Sequence, residues 1–152
     1  MFHARPVVTQ AFMLINIVVF AVSVAMGDGF ITGDVDFESG LLIDGAANGF
    51  AIDEAGEWWR IITSGFMHYG LIHLAFNAYA LYLLGRFTEQ MFGSMRMWVI
   101  FGIAGIAGSA ASAAHGAGII SVGASGAIFG LLGAFLVGLR ALRGRVPEGW
   151  RR

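Results

Sequence analysis

The sequence contains no cysteine and no lysine, and it has few charged residues of either sign. The absence of cysteine excludes disulfide bonds, thiol catalysis and thiolate metal sites. Charged residues make up 12% of the 152 residues, about half of the ~25% that is usual in soluble domains. With 57% hydrophobic residues, the composition indicates an integral membrane protein of one domain. The net charge of −1 gives no indication of a nucleic-acid partner.

Long apolar runs predict four membrane-spanning helices. They cover about residues 7–26, 70–87 with a helical extension toward 92, 97–114 and 125–142, and each is close to the ~17–25 residues that a spanning helix needs. The first run has 20 residues, which exceeds the roughly 7–15 apolar residues of a signal peptide. We therefore expect it to remain as a span, and its small residues at 21–25 leave cleavage open as the alternative.

Charges are unevenly distributed among the segments that connect these spans. Eight of the ten acidic residues lie between residues 27 and 60, whereas eight of the nine arginines lie in the N-terminus, the 86–96 connection and the tail. Arginine-rich segments stay on the cytoplasmic side of a membrane. The distribution therefore predicts that both termini are cytoplasmic and that the acidic loop and the 115–124 connection are outside.

The predicted outer loop, residues 27–69, is longer than an ordinary connection, and loops of this length are often functional. It carries five aromatic residues that favour the membrane interface: Phe30, Phe37, Phe50, Trp58 and Trp59. Two interpretations remain open. The loop forms an element that lies in the outer membrane surface, or its aromatic residues are a belt that anchors the second span.

Small residues recur on the third and fourth spans at helical spacing. The third span carries Gly102, Gly105, Gly108 and Ser112, and the fourth carries Gly126, Gly130 and Gly133. Ridges of small residues let membrane helices approach closely. We expect these two spans to pack against each other through these ridges.

Three polar residues fall at one predicted membrane depth. His73 and Asn77 are four residues apart and share one face of the second span, and Ser125 lies near the start of the fourth. Both spans enter from outside, so all three side chains lie in the outer third of the membrane, where polar groups are costly and usually functional. A helix start offers free N–H groups and a partial positive charge, which suit an oxyanion. The alternative is purely structural, with a packing serine and an amide that bridges helices.

These residues belong to an ordered set that resembles the rhomboid intramembrane serine proteases. The set comprises Trp59-Arg60, His68, His73-Leu74-Ala75-Phe76-Asn77, Gly85 with Glu89 and Gly93, and Gly123-Ala124-Ser125-Gly126. The resemblance covers about residues 57–140, with a matching first span before it. It implies an all-α membrane protein with a rhomboid-like helical bundle, of which four of the six core transmembrane helices are present. Residues 1–152 would then form one membrane domain, with 27–69 as its long extracytoplasmic first loop.

The resemblance also implies a role for each motif. Ser125 would be the nucleophile, and His73, Asn77 and Gly123 would belong to the oxyanion hole together with the Ser125 amide. Structural roles would fall to Trp59, Arg60, Glu89, Gly126 and Gly130, with Glu89 and nearby arginines in a polar network. Substrates would be transmembrane proteins in the lipid bilayer, cleaved near its outer surface without a cofactor or metal. The expected location is a bacterial inner or plasma membrane.

The sequence departs from the family pattern in its general base, which in rhomboids is a histidine on the sixth span. No histidine follows Ser125, and a serine hydroxyl needs an adjacent base to become a nucleophile. His3 lies on the opposite side, His73 is committed to the oxyanion, and His68 and His115 lie at the outer end, so each is a poor substitute. Three hypotheses follow: a protease whose base lies on a span beyond this sequence, an inactive rhomboid-like protein that binds membrane clients, and a plain scaffold or transporter. The lack of charged residues deep in the spans argues against transport.

Overall fold

The computed structural model describes residues 5–31, 40–115 and 119–143, with side chains up to Ala141. Four long helices dominate it, and they follow the four predicted spans: α1 (Val7–Ala25), α5 (Gly70–Phe92), α6 (Ser94–Ala114) and α7 (Ser125–Arg143). Between α1 and α5 lie three short helices, α2 (Leu41–Gly45), α3 (Gly49–Asp53) and α4 (Arg60–Thr63), and a 3₁₀ turn, Ser64–Phe66. Two-residue strands, β1 (Ala47–Asn48) and β2 (Ile120–Ser121), complete the fold. His3 and Phe37 lie outside the described residues.

Two of the described helices, α1 and α6, are long and apolar enough by themselves to cross a membrane. The apolar part of α7 that is described runs from Ser125 to Ala141. Helix α5 has 23 residues, about 34 Å at 1.5 Å per residue. The starts of α1 and α6 and the end of α5 meet at one end of the bundle, here called the basal end. The starts of α5 and α7 lie at the opposite, distal end.

Helix α7 packs against α6 and α5, and its buried side chains lie at the centre of the core. The core includes Leu81 of α5, Met97 and Phe101 of α6, and Ala127 and Leu131 of α7. Leu81, Met97 and Leu131 are fully buried. The central helix is therefore enclosed on two sides within the described part of the chain.

Small residues allow the close approach of α6 and α7, as predicted, at four positions. A Cβ on Gly126 would lie 3.3 Å from the Cα of Gly108, and one on Gly105 would touch Ala127. A Cβ on Gly130 would collide with Ala104. The prediction is wrong for Gly102 and Gly133, where no atom of the described residues lies within 4 Å of an added Cβ.

Glu89 of α5 joins three helices at the basal end. Its carboxylate accepts the backbone N–H groups of Val8 and Thr9 at 2.9 and 2.8 Å, the Thr9 hydroxyl at 2.7 Å and the Ser94 hydroxyl at 2.6 Å. Helix α1 has no side-chain cap of its own, so Glu89 satisfies amides that a helix start leaves free. The predicted polar network therefore uses hydroxyl and N–H groups here, while Arg86 bonds Tyr82 at 3.2 Å.

The long first loop is folded onto the bundle by two polar residues. Asp28 accepts hydrogen bonds from the Ser23 hydroxyl at 2.6 Å and the Leu42 amide at 3.0 Å, which fixes α2 to the end of α1. Arg60 pairs with Glu57 and donates to the carbonyl groups of residues 43 and 46. Trp59, beside it, is 44% exposed and lies edge-on to Trp58. These exposed tryptophans are compatible with either interpretation of the loop.

Candidate active site

His73 and Asn77 lie one turn apart near the start of α5. The Asn77 side chain is buried, and its Nδ2 donates to the His73 carbonyl at 3.1 Å. His73 is half-buried, and its Nδ1 accepts the backbone N–H of Tyr69 at 3.3 Å. A neutral imidazole that accepts at Nδ1 carries its proton on Nε2. The main chain thus makes His73 Nε2 a hydrogen-bond donor.

Gly123, two residues before Ser125, lies directly against both side chains. A Cβ at this position would be 2.9 Å from His73 Nε2, 2.7 Å from His73 Cε1 and 3.6 Å from Asn77 Nδ2. Its φ of +109° is also a conformation that side chains disfavour. The site therefore requires glycine at position 123 for space as well as for backbone shape.

The segment that leads to Ser125 is fastened to the first loop. The Gly123 amide donates to the Ser64 carbonyl at 2.8 Å, and the Ser64 hydroxyl bonds the Ser109 hydroxyl at 2.9 Å. Strand β1 pairs with β2, with Ala47 opposite Ser121. The Gly123 amide is therefore already engaged, and the long loop fixes the position of the chain before α7.

Ser125 is the first residue of α7 and is exposed. The structure brings His73, Asn77 and Gly123 together and places Ser125 two residues further along the chain. Whether the Ser125 hydroxyl and the two side chains share one outward-opening cavity stays a prediction. Sequence reasoning missed Ser64, Ser109 and Tyr69, and no signal in the sequence points to them because two of the three contacts involve main-chain atoms.

The two other described histidines have ring nitrogens that bond main-chain carbonyl groups. His68, in the loop before α5, contacts the Phe66 carbonyl through Nδ1 at 3.1 Å, and its ring centre is 5.2 Å from that of His73. Burial, and secondarily the neighbouring His73, lower the pKa of His68 to about 4, so it is neutral near pH 7. His115 follows α6, as predicted, and bonds the Ala111 carbonyl at 2.7 Å.

No group of three potential metal ligands among histidine, cysteine, aspartate and glutamate occurs in the part of the chain that the structure describes. The side chains that lie against Gly123 are hydrogen-bond donors. His73 Nε2 and Asn77 Nδ2 carry N–H groups that can donate to an anion. A helix start adds partial positive charge at Ser125.

A profile of the Rhomboid domain matches residues 55–151, which include every one of these site residues. The chain belongs to the rhomboid family. The predicted rhomboid-like helical fold and the integral membrane character are thereby confirmed. Membership also assigns the chain to a family that includes intramembrane serine proteases.

Known rhomboids that resemble the chain include one named as a protease and one named as inactive. It is 40% identical over 134 residues to "Rhomboid protease GluP" of Bacillus subtilis. The matched segment covers 88% of this chain and 25% of that protein. It is 32% identical over 152 residues to "Inactive RHOMBOID-like protein 8" of Arabidopsis thaliana, with 86% of this chain and 43% of that protein covered. The chain thus spans less than half the length of these relatives. No solved structure matches it.

Proposed function

We propose that this rhomboid is an intramembrane serine endopeptidase that cleaves transmembrane substrates near the outer membrane surface, with Ser125 as the nucleophile. The observation that carries the proposal is the contact of His73 and Asn77 with Gly123. A Cβ at Gly123 would lie 2.9 Å from His73 Nε2 and 3.6 Å from Asn77 Nδ2. Two donors therefore flank the chain at the point where it enters the helix that begins with Ser125.

These donors suit the oxyanion of a tetrahedral intermediate. When the Ser125 oxygen bonds to the substrate carbonyl carbon, the carbonyl oxygen takes up the electron pair and becomes negative. His73 Nε2–H, Asn77 Nδ2–H and the Ser125 amide then donate to it, and the start of α7 adds its dipole. One such donor contributes roughly 3–4 kcal/mol where this has been measured. Gly123, whose amide is bonded to Ser64, provides the space for this arrangement.

The general base is proposed to be a histidine on a later membrane span, outside these 152 residues. His73 Nδ1 accepts a hydrogen bond from the Tyr69 amide, and Nε2–H donates to the oxyanion. Because neither ring nitrogen then has a free lone pair, His73 cannot also remove the proton of the serine hydroxyl. His68 and His115 donate from Nδ1 to main-chain carbonyls, which leaves Nε2 unprotonated, but in the described part of the chain no hydrogen bond joins either ring to Ser125. A serine needs a base within hydrogen-bond reach.

The test is a cleavage assay with the protein encoded by the whole reading frame, in liposomes that contain a transmembrane substrate. Ser125→Ala should abolish cleavage, whereas Ser112→Ala, a matched change in α6, should retain it. His73→Ala and Asn77→Ala should each lower kcat by about 10²–10³. Cleavage that persists in Ser125→Ala would disprove the assignment.

An inactive rhomboid-like protein that binds membrane clients is the second candidate. It is supported by the resemblance to an inactive relative. Under this alternative, the whole native protein would retain membrane clients during purification and would not cleave them. The Ser125→Ala variant would bind the same clients equally well.

A further inference from the structure

An apolar cavity of about 260 Å³ lies between α1, the 3₁₀ turn, α6 and the start of α7. Its walls include Phe12 of α1, Phe66 of the turn, and Trp98 and Ile106 of α6. The lining contains only apolar side chains and glycines, and His73, Asn77 and Ser125 do not contribute to it. Gly123 and Ala124 also line the cavity, so it borders the candidate active site and extends away from it along α6.

Two glycines in the wall of this cavity are not required by close packing against a neighbouring element. An added Cβ on Gly102 or on Gly65 would meet no atom of the described residues within 4 Å. Gly108 and Gly126 differ, because the backbones of α6 and α7 touch there. Larger side chains would fit at Gly102 and Gly65, so the space that these glycines leave is available to a ligand.

A second apolar space lies next to the cavity on the basal side of α6, and the two together are here called the groove. Trp98 lines both the cavity and this second space of about 360 Å³, which Val8, Ser94 and Met95 complete. From Ser94 to Ile106 the groove extends about 18 Å at 1.5 Å per residue. One leaflet of a ~30 Å hydrocarbon core is roughly 15 Å deep, so the length suits one lipid chain that enters from the basal end.

Two residues that line the groove are also largely exposed in the described part of the chain. Trp98 is 57% exposed and Ile106 is 47% exposed. Water would have no polar partners in such a space, and an empty one would forfeit dispersion contacts. An acyl chain from the surrounding membrane needs no polar partners and would make the dispersion contacts that an empty space lacks.

The basal end adds a charge that suits a lipid headgroup. Arg96 directly follows the groove residue Met95, and Arg5 precedes the groove residue Val8 by three positions. Both arginines are exposed, and guanidinium groups recognise phosphate well. We propose that the groove between α1 and α6 binds one anionic phospholipid, with an acyl chain in the cavity and its phosphate near Arg96 and Arg5.

The experiment compares lipid retention in the full-length protein, purified with phosphatidylglycerol and examined by native mass spectrometry. The native protein should retain one phosphatidylglycerol. Gly102→Leu should reduce retention by about tenfold or more, because leucine fills the cavity, and Gly65→Leu should do the same from the opposite wall. Gly133→Leu is the matched control, since its surroundings are equally open but it does not line the groove; it should retain the lipid.

A second measurement keeps the proposal falsifiable if a leucine variant does not fold. Phosphatidylglycerol with a photoreactive group near the end of its acyl chain should label residues 101–106 more strongly than the exposed face of α5 around Phe76 and Tyr79. Arg96→Gln should weaken retention of phosphatidylglycerol but not of a zwitterionic lipid. Equal retention in Gly102→Leu and Gly133→Leu, or equal labelling of α5 and α6, would overturn the proposal.

Discussion

His73 and Gly123 fit against each other with no spare room, and main-chain atoms hold both. The Tyr69 amide fixes the ring of His73, and the Ser64 carbonyl holds Gly123. A side chain at position 123 would have to displace the ring, because its Cβ would lie 2.7 Å from His73 Cε1. The position of His73, a proposed oxyanion donor, therefore depends on the absence of a Cβ at position 123.

Gly123→Ala should accordingly reduce proteolysis by the full-length protein about 100-fold or more, since it moves a donor that is worth roughly 3 kcal/mol. It should also destabilise the protein by ~1–3 kcal/mol, because φ is +109°. Gly56→Ala is the control: φ is +71° there, but no atom of the described residues lies within 4 Å of the added Cβ. It should show the backbone strain without the loss of activity. Equal activity losses in the two variants would contradict the packing explanation.

His68 should make stability fall as the solution becomes acidic. Its pKa is lowered from 6.5 to about 4 by burial and by His73. At pH values between 4 and 6.5, His68 is therefore protonated in the unfolded chain but neutral in the folded protein. The stabilisation is complete above pH 6.5 and is lost as the pH falls toward 4, by roughly 3 kcal/mol in total. Unfolding in detergent between pH 4.5 and 7.5 measures this slope. His68→Gln should flatten it, and an unchanged slope would refute the assignment.

At the scale of the helices, Glu89 is a cap that one helix provides for another. Its carboxylate bonds two amides at the start of α1 and the hydroxyl at the start of α6. Glu89→Gln keeps the size of the side chain but replaces one carboxylate oxygen with an NH₂ group. That NH₂ group would face the N–H and O–H donors that the oxygen accepts from in the native protein. It should cost roughly 2–3 kcal/mol and free the basal end of α1 first. Hydrogen exchange in residues 7–12 measures the effect, with the exposed Glu54→Gln as control; equal protection in both variants would contradict the capping role.

Hydrophobic patterning predicted the four long helices because each must present about twenty apolar residues to lipid. It could not predict α2 to α4, whose short lengths depend on tertiary contacts such as those of Asp28 and Arg60. The glycine ridges were predicted by spacing alone, and spacing does not show which helix face has a neighbour. Gly102 and Gly133 therefore differ from Gly108 and Gly126. For the site, motif order identified His73, Asn77 and Gly123, whereas the support from Ser64 depends on main-chain geometry.

At the scale of the whole molecule, the arginine distribution sets the expected orientation. With eight of nine arginines on one side, the basal end should face the cytoplasm and the distal end should face outside. The lack of cysteine makes single-cysteine labelling clean. Ser39→Cys should react with an impermeant maleimide in intact cells, and Arg145→Cys should react only after the membrane is opened. Labelling at position 145 from outside would reverse the orientation.

The 152 residues taken alone should not cleave substrates at a measurable rate, whereas the protein from the whole reading frame should. Without a base, Ser125 lacks the acceptor that makes its hydroxyl nucleophilic, and oxyanion donors cannot replace that function. Hydrolases that lose a triad member retain only ~10³–10⁴-fold catalysis over water, too little for peptide cleavage to be seen in an ordinary assay. The purified 152-residue chain in liposomes, beside its Ser125→Ala variant, provides the test. Cleavage restored by a separate polypeptide with the later spans would support a base on those spans. Serine-dependent cleavage by the 152 residues alone would place the base among the histidines present, and His115 would be the first to examine.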